Sequence, residues 1–195
     1  MAAIIDVEQC ARLRGKAVVL HAAREAEEAI PGSLEMDAGE QVDDPREHFT
    51  ARGISDDTPV IVYGDQAPYV WWLAKVAGLH NVAVLDGGVA AWKASGRATG
   101  HRGQPQRPGD ITAAVAWERI ADEPESDGYV TTLEMDEELE TSLIDKEGYF
   151  AEDLREQLER RAGGARALIF SRGERACLGA LAATVAGYGD VRVLL

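Results

Sequence analysis

Two stretches of the sequence show the same succession of apolar and polar segments. A short β-branched run, PVIVY (59–63) in the first and RALIF (166–170) in the second, is followed by a polar loop and an apolar helical pattern. Each helical pattern ends at a glycine, Gly78 or Gly187, ahead of another β-branched run. Strands that alternate with helices pair in parallel, so the pattern predicts an α/β fold of two similar units.

A polar segment between the two stretches sets the expected boundaries. Residues 99–110, TGHRGQPQRPGD, are rich in Gly and Pro and are typical of a linker. We therefore predict a first unit at 1–98 and a second at 111–195. The second unit opens with an acidic run, typical of a solvated face or a flexible loop. It lacks the helical pattern that closes the first, so we expect it to be shortened at its C-terminal end.

The charge of the chain disfavours some classes of binding partner. The 195 residues include 34 Asp and Glu against 20 Lys and Arg, a formal net charge of −14. Such a balance repels nucleic-acid backbone and anionic membrane, so neither is an expected partner. The start, MAAIIDVEQC, has acids where a signal peptide needs basic residues, and no apolar run approaches the roughly 20 residues of a membrane span. The sequence therefore predicts a soluble, cytoplasmic protein.

The cysteines and histidines do not form a metal-binding pattern. Cys10 and Cys177 are too few for a disulfide framework and lack the spacing of a zinc site. The four histidines are scattered along the chain. We predict no metal and no cofactor, and we expect Cys10 to lie in the core face of an amphipathic helix.

The stretch from Ala167 onward, ALIFSRGERACLGALAATVAGYG, is laid out like a phosphate- or sulfur-handling loop. An apolar strand gives way to a short loop and then to an alanine-rich helix. A loop that leads into a helix N-terminus presents unpaired N–H groups, and Arg172 and Arg175 would add forked donors for an anion. In the alternative interpretation, Arg172 is solvated and Arg175 pairs with Glu174 or another neighbour.

These segments resemble the tandem-domain rhodaneses, the thiosulfate and 3-mercaptopyruvate sulfurtransferases. The resemblance rests on IPGSLEMD, HFTARGISDDTPVIVYGD, WWLAKVAGLHNVAVLDGGVAAWKASGR, EGYFAEDLREQLE and the loop-helix stretch, and its most specific element is LDGG with a following Trp. It implies a parallel sheet in each domain, a silent first domain and a catalytic second one. It also implies a loop cysteine that attacks a sulfane sulfur as thiolate and stores it as a persulfide.

The loop departs from that family pattern at the nucleophile. Aligned on the helix, the cysteine position holds Phe170, with Gly173 and Arg175 matching the loop; aligned on the strand, it holds Ser171. In the first unit the equivalent place is Gly64 or Asp65. A serine hydroxyl cannot form the S–S bond of a persulfide. The degenerate loop, Phe170 to Arg175, therefore predicts no standard sulfurtransferase activity.

Three functions remain open at this point. The first is a non-catalytic rhodanese homologue that binds a small anion, such as sulfate, thiosulfate or phosphate, or a basic protein. The second is an active sulfurtransferase whose nucleophile has moved to Cys177, although the apolar neighbours of this residue favour a buried thiol. The third is an interaction scaffold whose acidic segment 122–140 meets a basic partner. An acid–base pair of His21 and Asp65 is a further hypothesis, but nothing in the sequence brings these residues together.

Overall fold

The protein folds as two compact units. The computed structural model describes residues 1–23, 28–37 and 44–194, and it divides the chain into Met1–Ala116 and Trp117–Leu195. Each unit contains its own parallel sheet with helices packed on it, which confirms the predicted α/β fold. In the part of the chain that the structure describes, no helix is long and apolar enough to cross a bilayer.

The first unit is built on a sheet in which all neighbouring strands run parallel. Its described strands are β1 (Ile4–Ile5), β2 (Val18–His21), β3 (Leu34–Glu35), β4 (Val60–Tyr63) and β5 (Val82–Leu85). Their order across the sheet is β1-β5-β4-β2-β3. Strands β4 and β5 are buried along their whole length, as expected for the unbroken apolar runs of a parallel sheet.

The described part of the first unit contains four helices. They are α1 (Val7–Leu13), α2 (Pro45–Thr50), α3 (Ala67–Val76) and α4 (Gly88–Ala94). A capping box starts α1, in which the Gln9 N–H donates to the Asp6 carboxylate at 2.7 Å and the Asp6 N–H donates to Gln9 Oε1 at 3.0 Å. The tryptophans Trp71 and Trp72 of α3 and Trp92 of α4 are all buried, so these two helices are held to the sheet by large apolar side chains.

The predicted linker packs as part of the first unit. The Gly100 N–H donates to the Ala29 carbonyl at 2.9 Å, and the Gly109 N–H donates to the Thr50 carbonyl at 2.7 Å. A Cβ at Gly109 would lie 2.0 Å from the Ile54 carbonyl oxygen, so the glycine permits a close approach of two backbones. The division between the units therefore falls after Ala116, and not across residues 99–110 as predicted.

Asp56 fixes the end of this segment. Its carboxylate accepts the Thr112 hydroxyl at 2.6 Å and the N–H groups of Thr112 and Ala113 at 3.1 Å each. These hydrogen bonds, the one from the Thr112 hydroxyl first, hold the pKa of Asp56 below its usual value. The carboxylate thus joins residues 112–113 to the loop ahead of β4.

The second unit contains a smaller parallel sheet. After a short 3-10 turn at Trp117–Arg119 come the described strands β6 (Val130–Glu134), β7 (Ala167–Ser171) and β8 (Asp190–Leu194), in the order β6-β7-β8. The helices are α5 (Glu137–Leu143), α6 (Leu154–Ala162) and α7 (Glu174–Val185). The acidic run that was expected to be a solvated face or a loop therefore contains β6 and α5. Both elements place apolar side chains such as Val130 and Leu139 in the core.

The two sheets repeat one arrangement. In the first, β4 lies between β2 and β5; in the second, β7 lies between β6 and β8. Ile4 of β1 pairs in parallel with Val84 of β5, and Ile120 forms an isolated parallel bridge with Val193 of β8. Each unit thus surrounds its middle strand in the same order.

Helix α7 packs very closely on β7. A Cβ at Gly179 would lie 2.3 Å from Phe170 Cδ1 and 2.7 Å from Met135 Sδ. Phe170 and Met135 are both completely buried, at 0% exposure each. The missing side chain at residue 179 therefore leaves the space that the Phe170 ring occupies.

We expect Gly179→Ala to destabilise the protein, although alanine favours helices over glycine. The added methyl group would overlap the Phe170 ring, and overpacking of this kind costs about 1–3 kcal/mol in the free energy of unfolding. In an open helix the same change would gain about 1 kcal/mol. Chemical denaturation of the two proteins measures the difference.

Phe170→Leu provides the control, because a smaller residue makes room for the new methyl group. The double variant should lose less stability than the sum of the two single variants. Strictly additive losses would contradict the contact between Phe170 and residue 179.

Asp56→Ala should release the segment that its carboxylate holds. The N–H groups of Thr112 and Ala113 lose their acceptor, so their hydrogen exchange should accelerate. In the wild type this stabilisation is present above the unfolded pKa of about 3.9 and is lost as pH falls through the lowered folded pKa. Asp57→Ala removes a neighbouring exposed carboxylate and should leave both N–H groups unchanged; equal acceleration in both variants would refute the role of Asp56.

Candidate functional site

The carboxyl ends of parallel strands are the usual binding edge of an α/β sheet. In the second unit this edge holds Glu134 at the end of β6 and Ser171 at the end of β7, which are direct partners in the sheet register. Arg172 and Gly173 alone separate β7 from α7. The predicted loop is therefore present, but it is only two residues long.

The structure separates the two residues that the sequence analysis aligned with a nucleophile. Phe170 lies within β7, and its side chain is buried against α7. Ser171 is the last residue of the strand and is partly exposed. The turn that follows is tight, with φ of 96° at Arg172 and 62° at Gly173. Ser171 thus lies at the start of the polar loop at the sheet edge, whereas Phe170 belongs to the hydrophobic core.

Both arginines of the predicted anion site contact carboxylates. Arg172 lies 3.3 Å from the Glu134 carboxylate, and Arg175 lies 3.3 Å from the Glu140 carboxylate. The arginine side chains are 50% and 55% exposed. The sequence alternative named Glu174 or another neighbour for Arg175, and Glu140 is the acid observed. Anion binding by the two arginines remains a prediction.

A third arginine extends this row of ion pairs. Arg161 lies 3.2 Å from Asp136 and 3.1 Å from Glu138. Asp136 also caps α5 by accepting the Leu139 N–H at 2.7 Å, and this bond is the main cause of its lowered pKa. The sequence analysis missed these acids as site residues. A signal for the position of these acids is the strand-like run VTTLE (130–134), which directly precedes them. Because parallel strands end at the same edge of a sheet, residues that follow one strand lie near the loop that follows its neighbour.

Neither thiol is exposed at this edge. Cys177 in α7 and Cys10 in α1 are both 0% exposed, as the sequence analysis predicted. Burial raises the pKa of Cys10 to about 11. The pKa of Cys177 is raised even further, first by burial and then by the charge of Glu174. A thiol with a raised pKa carries little thiolate at neutral pH.

The corresponding loop of the first unit follows β4. Gly64 has a φ of 114°, and a Cβ there would lie 2.2 Å from the Ala22 carbonyl oxygen. The same carbonyl accepts the Gln66 N–H at 3.0 Å, which fixes the turn before α3. Position 64 therefore has no room for any side chain while this hydrogen bond is kept.

His21 and Tyr63 close the edge of the first sheet with a buried aromatic pair. Their rings stack with centroids 4.7 Å apart, and Tyr63 Oη accepts the Ile30 N–H at 3.0 Å. Burial first, and then the charge of Arg102, lowers the pKa of His21, whereas the charges of Glu35 and Asp65 act in the opposite direction. His21 is thus buried at the sheet edge, where the Asp65 charge acts on it, and the acid–base pair of these two residues remains a hypothesis. Among the described residues, no group of three His, Cys, Asp or Glu side chains could hold a metal ion.

Comparison with known proteins finds relatives of this chain. A family model described as a rhodanese-like domain matches residues 3–95. The thiosulfate sulfurtransferase of Bos taurus is 44% identical over 62 residues, a match that covers 29% of this chain. The match spans only 20% of the bovine enzyme. These similarities concern parts of the relatives and not their full length.

Solved structures with the same fold extend over both units. SseA from Escherichia coli, a 3-mercaptopyruvate sulfotransferase, gives a TM-score of 0.79 at 16% identity and covers 100% of this chain and 98% of its own. A variant of EanB that carries a cysteine persulfide with ergothioneine gives 0.81 at 17% identity, covering 99% of this chain and 66% of EanB. At such identities the likeness shows a shared fold. The family match thus identifies a rhodanese-like domain at residues 3–95, and the whole chain shares the fold of SseA.

Proposed function

We propose that this chain is a non-catalytic member of the rhodanese/sulfurtransferase family, which binds a partner or ligand and does not transfer sulfur. The observation that carries the proposal is the complete burial of both thiols, Cys10 and Cys177. Persulfide formation needs a thiolate that attacks the outer sulfur of the donor and forms an S–S bond as sulfite leaves. Ser171 stands at the strand end, and its hydroxyl cannot take this role.

The competing function is sulfur transfer by Cys177. This thiol lies in the first turns of α7, and a helix N-terminus favours a thiolate. Its complete burial and the charge of Glu174 act in the opposite direction and raise the pKa. A donor could reach the sulfur only if the start of α7 opened, so we regard this alternative as the weaker one.

Charge at the edge of the second sheet bears on what is bound there. The acids Glu134, Asp136, Glu138 and Glu140 outnumber the three arginines with which they pair. Ion pairs between half-exposed side chains contribute only about 0–1 kcal/mol each, so a ligand can displace them. A basic protein partner would meet the excess of carboxylates, whereas a small anion would have to compete with them. The excess favours the basic partner over sulfate, thiosulfate or phosphate.

The proposal predicts no persulfide and no turnover. After incubation with thiosulfate, the intact mass of the native protein should stay unchanged, because no thiolate reaches the donor. Thiocyanate formation from thiosulfate and cyanide should stay at the level of a blank. A mass gain of one sulfur that disappears in Cys177→Ser but persists in Cys10→Ser would overturn the proposal and establish Cys177 as the nucleophile.

A melting series separates an anion site at the loop from a surface for a basic partner. At the same ionic strength, an anion site at the loop would raise the Tm of the wild type in sulfate above its Tm in chloride. Arg175→Ala would remove most of that shift and Arg172→Ala would remove less. From the ion pairs with Glu134 and Glu140 we expect the same small shift in all three proteins, the effect of a general stabilising salt. A shift confined to the wild type would instead establish the anion site.

A further inference from the structure

A small apolar cluster lies on the face of the second sheet that is opposite to α7. The Phe170 side chain of β7 points to α7, so the neighbouring Ile169 points to the other face. The cluster on that face consists of Ala121, Val130, Ala167 and Ile169, with Leu194 packed against it. In the part of the chain that the structure describes, no residue of a helix belongs to this cluster. We call the side of the sheet that carries it the far face.

The corresponding face of the first sheet carries two helices. Ile61 of β4 lies in one apolar cluster with Cys10 of α1 and Trp92 of α4. Among the described residues, the buried tryptophans of α3, Trp71 and Trp72, do not belong to that cluster, so α3 packs on the opposite face. Helix α3 follows β4 as α7 follows β7. The face that accommodates α1 and α4 in the first unit is therefore the equivalent of the far face in the second.

Residues 121–125 cross the far face from one side of the sheet to the other. At one end, the Ala121 N–H donates to the Val193 carbonyl of β8 at 2.9 Å. At the other end, Thr132 of β6 donates from its N–H and from its hydroxyl to the Glu125 carbonyl, at 2.9 Å each. Strands β6 and β8 flank β7, so the segment passes over the middle strand. We call residues 121–125 the cover segment.

An ion pair joins the cover segment to the sheet. Arg192 of β8 donates from Nη1 to the Glu125 carboxylate at 2.7 Å, and the two side chains are 22% and 41% exposed. Arg192 is the register partner of Ile169, so its side chain stands on the far face. Its Nε also lies 3.4 Å from the Asp190 carboxylate. If Glu125 leaves, Arg192 therefore keeps the acid of its own strand and loses the acid that forms the shorter contact.

The cover segment contributes little apolar surface of its own. Asp122, Glu123 and Pro124 are exposed, and Ala121 is the one residue of the segment that belongs to the apolar cluster. Its methyl group buries far less apolar area than the Trp92 side chain of α4 does on the equivalent face. The segment is thus held mainly by its polar contacts, and polar contacts between half-exposed groups are weak. A partner that buries more apolar surface can therefore displace it.

We propose that the cover segment is displaceable and that an amphipathic helix of a partner protein binds the far face in its place. Helices α1 and α4 show that the equivalent face of the first sheet accepts helices. The apolar side of the partner helix would bury the cluster, as in other complexes in which a helix lies in an apolar groove. A carboxylate within that side would replace Glu125 on Arg192. This surface is independent of sulfur transfer and of the basic partner proposed for the acids after β6.

A labelled amphipathic peptide of about 18 residues, long enough to form a helix, is the probe. It consists of Leu, Ala and Lys, with one Glu at the centre of its Leu side. We expect Glu125→Gln to bind it about fivefold to tenfold more tightly than the wild type does, because loss of one charged hydrogen bond opens the cover segment in a larger fraction of molecules. Fluorescence anisotropy measures the affinity. In the same variant, the Thr132 N–H that donates to the Glu125 carbonyl should exchange faster.

Glu123→Gln is the matched control, because it makes the same chemical change at an exposed position of the cover segment. It should leave both the peptide affinity and the exchange rate of the Thr132 N–H unchanged. No binding of the peptide to any of the proteins would overturn the proposal. Equal affinities in Glu125→Gln and Glu123→Gln would also overturn it, because the Lys side chains of the peptide would then be binding acids elsewhere.

A second peptide, with Gln in place of the central Glu, tests the charge pair with Arg192. It should bind Glu125→Gln less tightly than the Glu peptide does. In Arg192→Gln the cover segment is also released, but the guanidinium is absent, so the two peptides should bind equally. A Gln peptide that bound Glu125→Gln as tightly as the Glu peptide would refute the partner carboxylate.

Discussion

Helix α7 can lie against β7 as closely as it does because residue 179 has no side chain. The space left at Gly179 is filled by the ring of Phe170 and by Met135. With the helix this near, a turn of two residues suffices to connect it to the strand. Cys177, two residues before the glycine, is completely buried, and this burial raises the pKa of its thiol. The missing side chain at Gly179 thus permits the close packing of α7 on the middle strand.

Charged side chains pair with one another at the edge of the second sheet. The acids that follow β6 lie beside the arginines that follow β7, and each of these arginines is matched by a carboxylate. Exposed pairs of this type add little to stability, but they decide which charges a visiting molecule meets first. On the far face of the same sheet, Arg192 pairs with Glu125 of the cover segment. The arginines at both places are thus matched by nearby acids of this acidic chain.

The sequence was most informative where one local pattern determined one element. The apolar runs at 59–63 and 166–170 form the middle strands, and Gly78 and Gly187 adopt the positive φ values expected after a helix. Contacts between residues that are distant in the sequence could not be predicted from such local patterns. The pairing of Arg172 with Glu134 depends on sheet register, and the pairing of Arg192 with Glu125 joins residues that are 67 positions apart. Gly and Pro in 99–110 also misled the prediction of a linker, since a glycine that allows close packing resembles one that allows flexibility.

The turn after β4 limits how a cysteine could arise by mutation in the first unit. The Ala22 carbonyl occupies the volume that any side chain at position 64 would need, and it is fixed there by the Gln66 N–H. A codon change that introduced cysteine at 64 would therefore first break the turn and would not be neutral. A thiol at this place requires an earlier change that moves the end of β2. The order of mutations that could introduce it is therefore constrained.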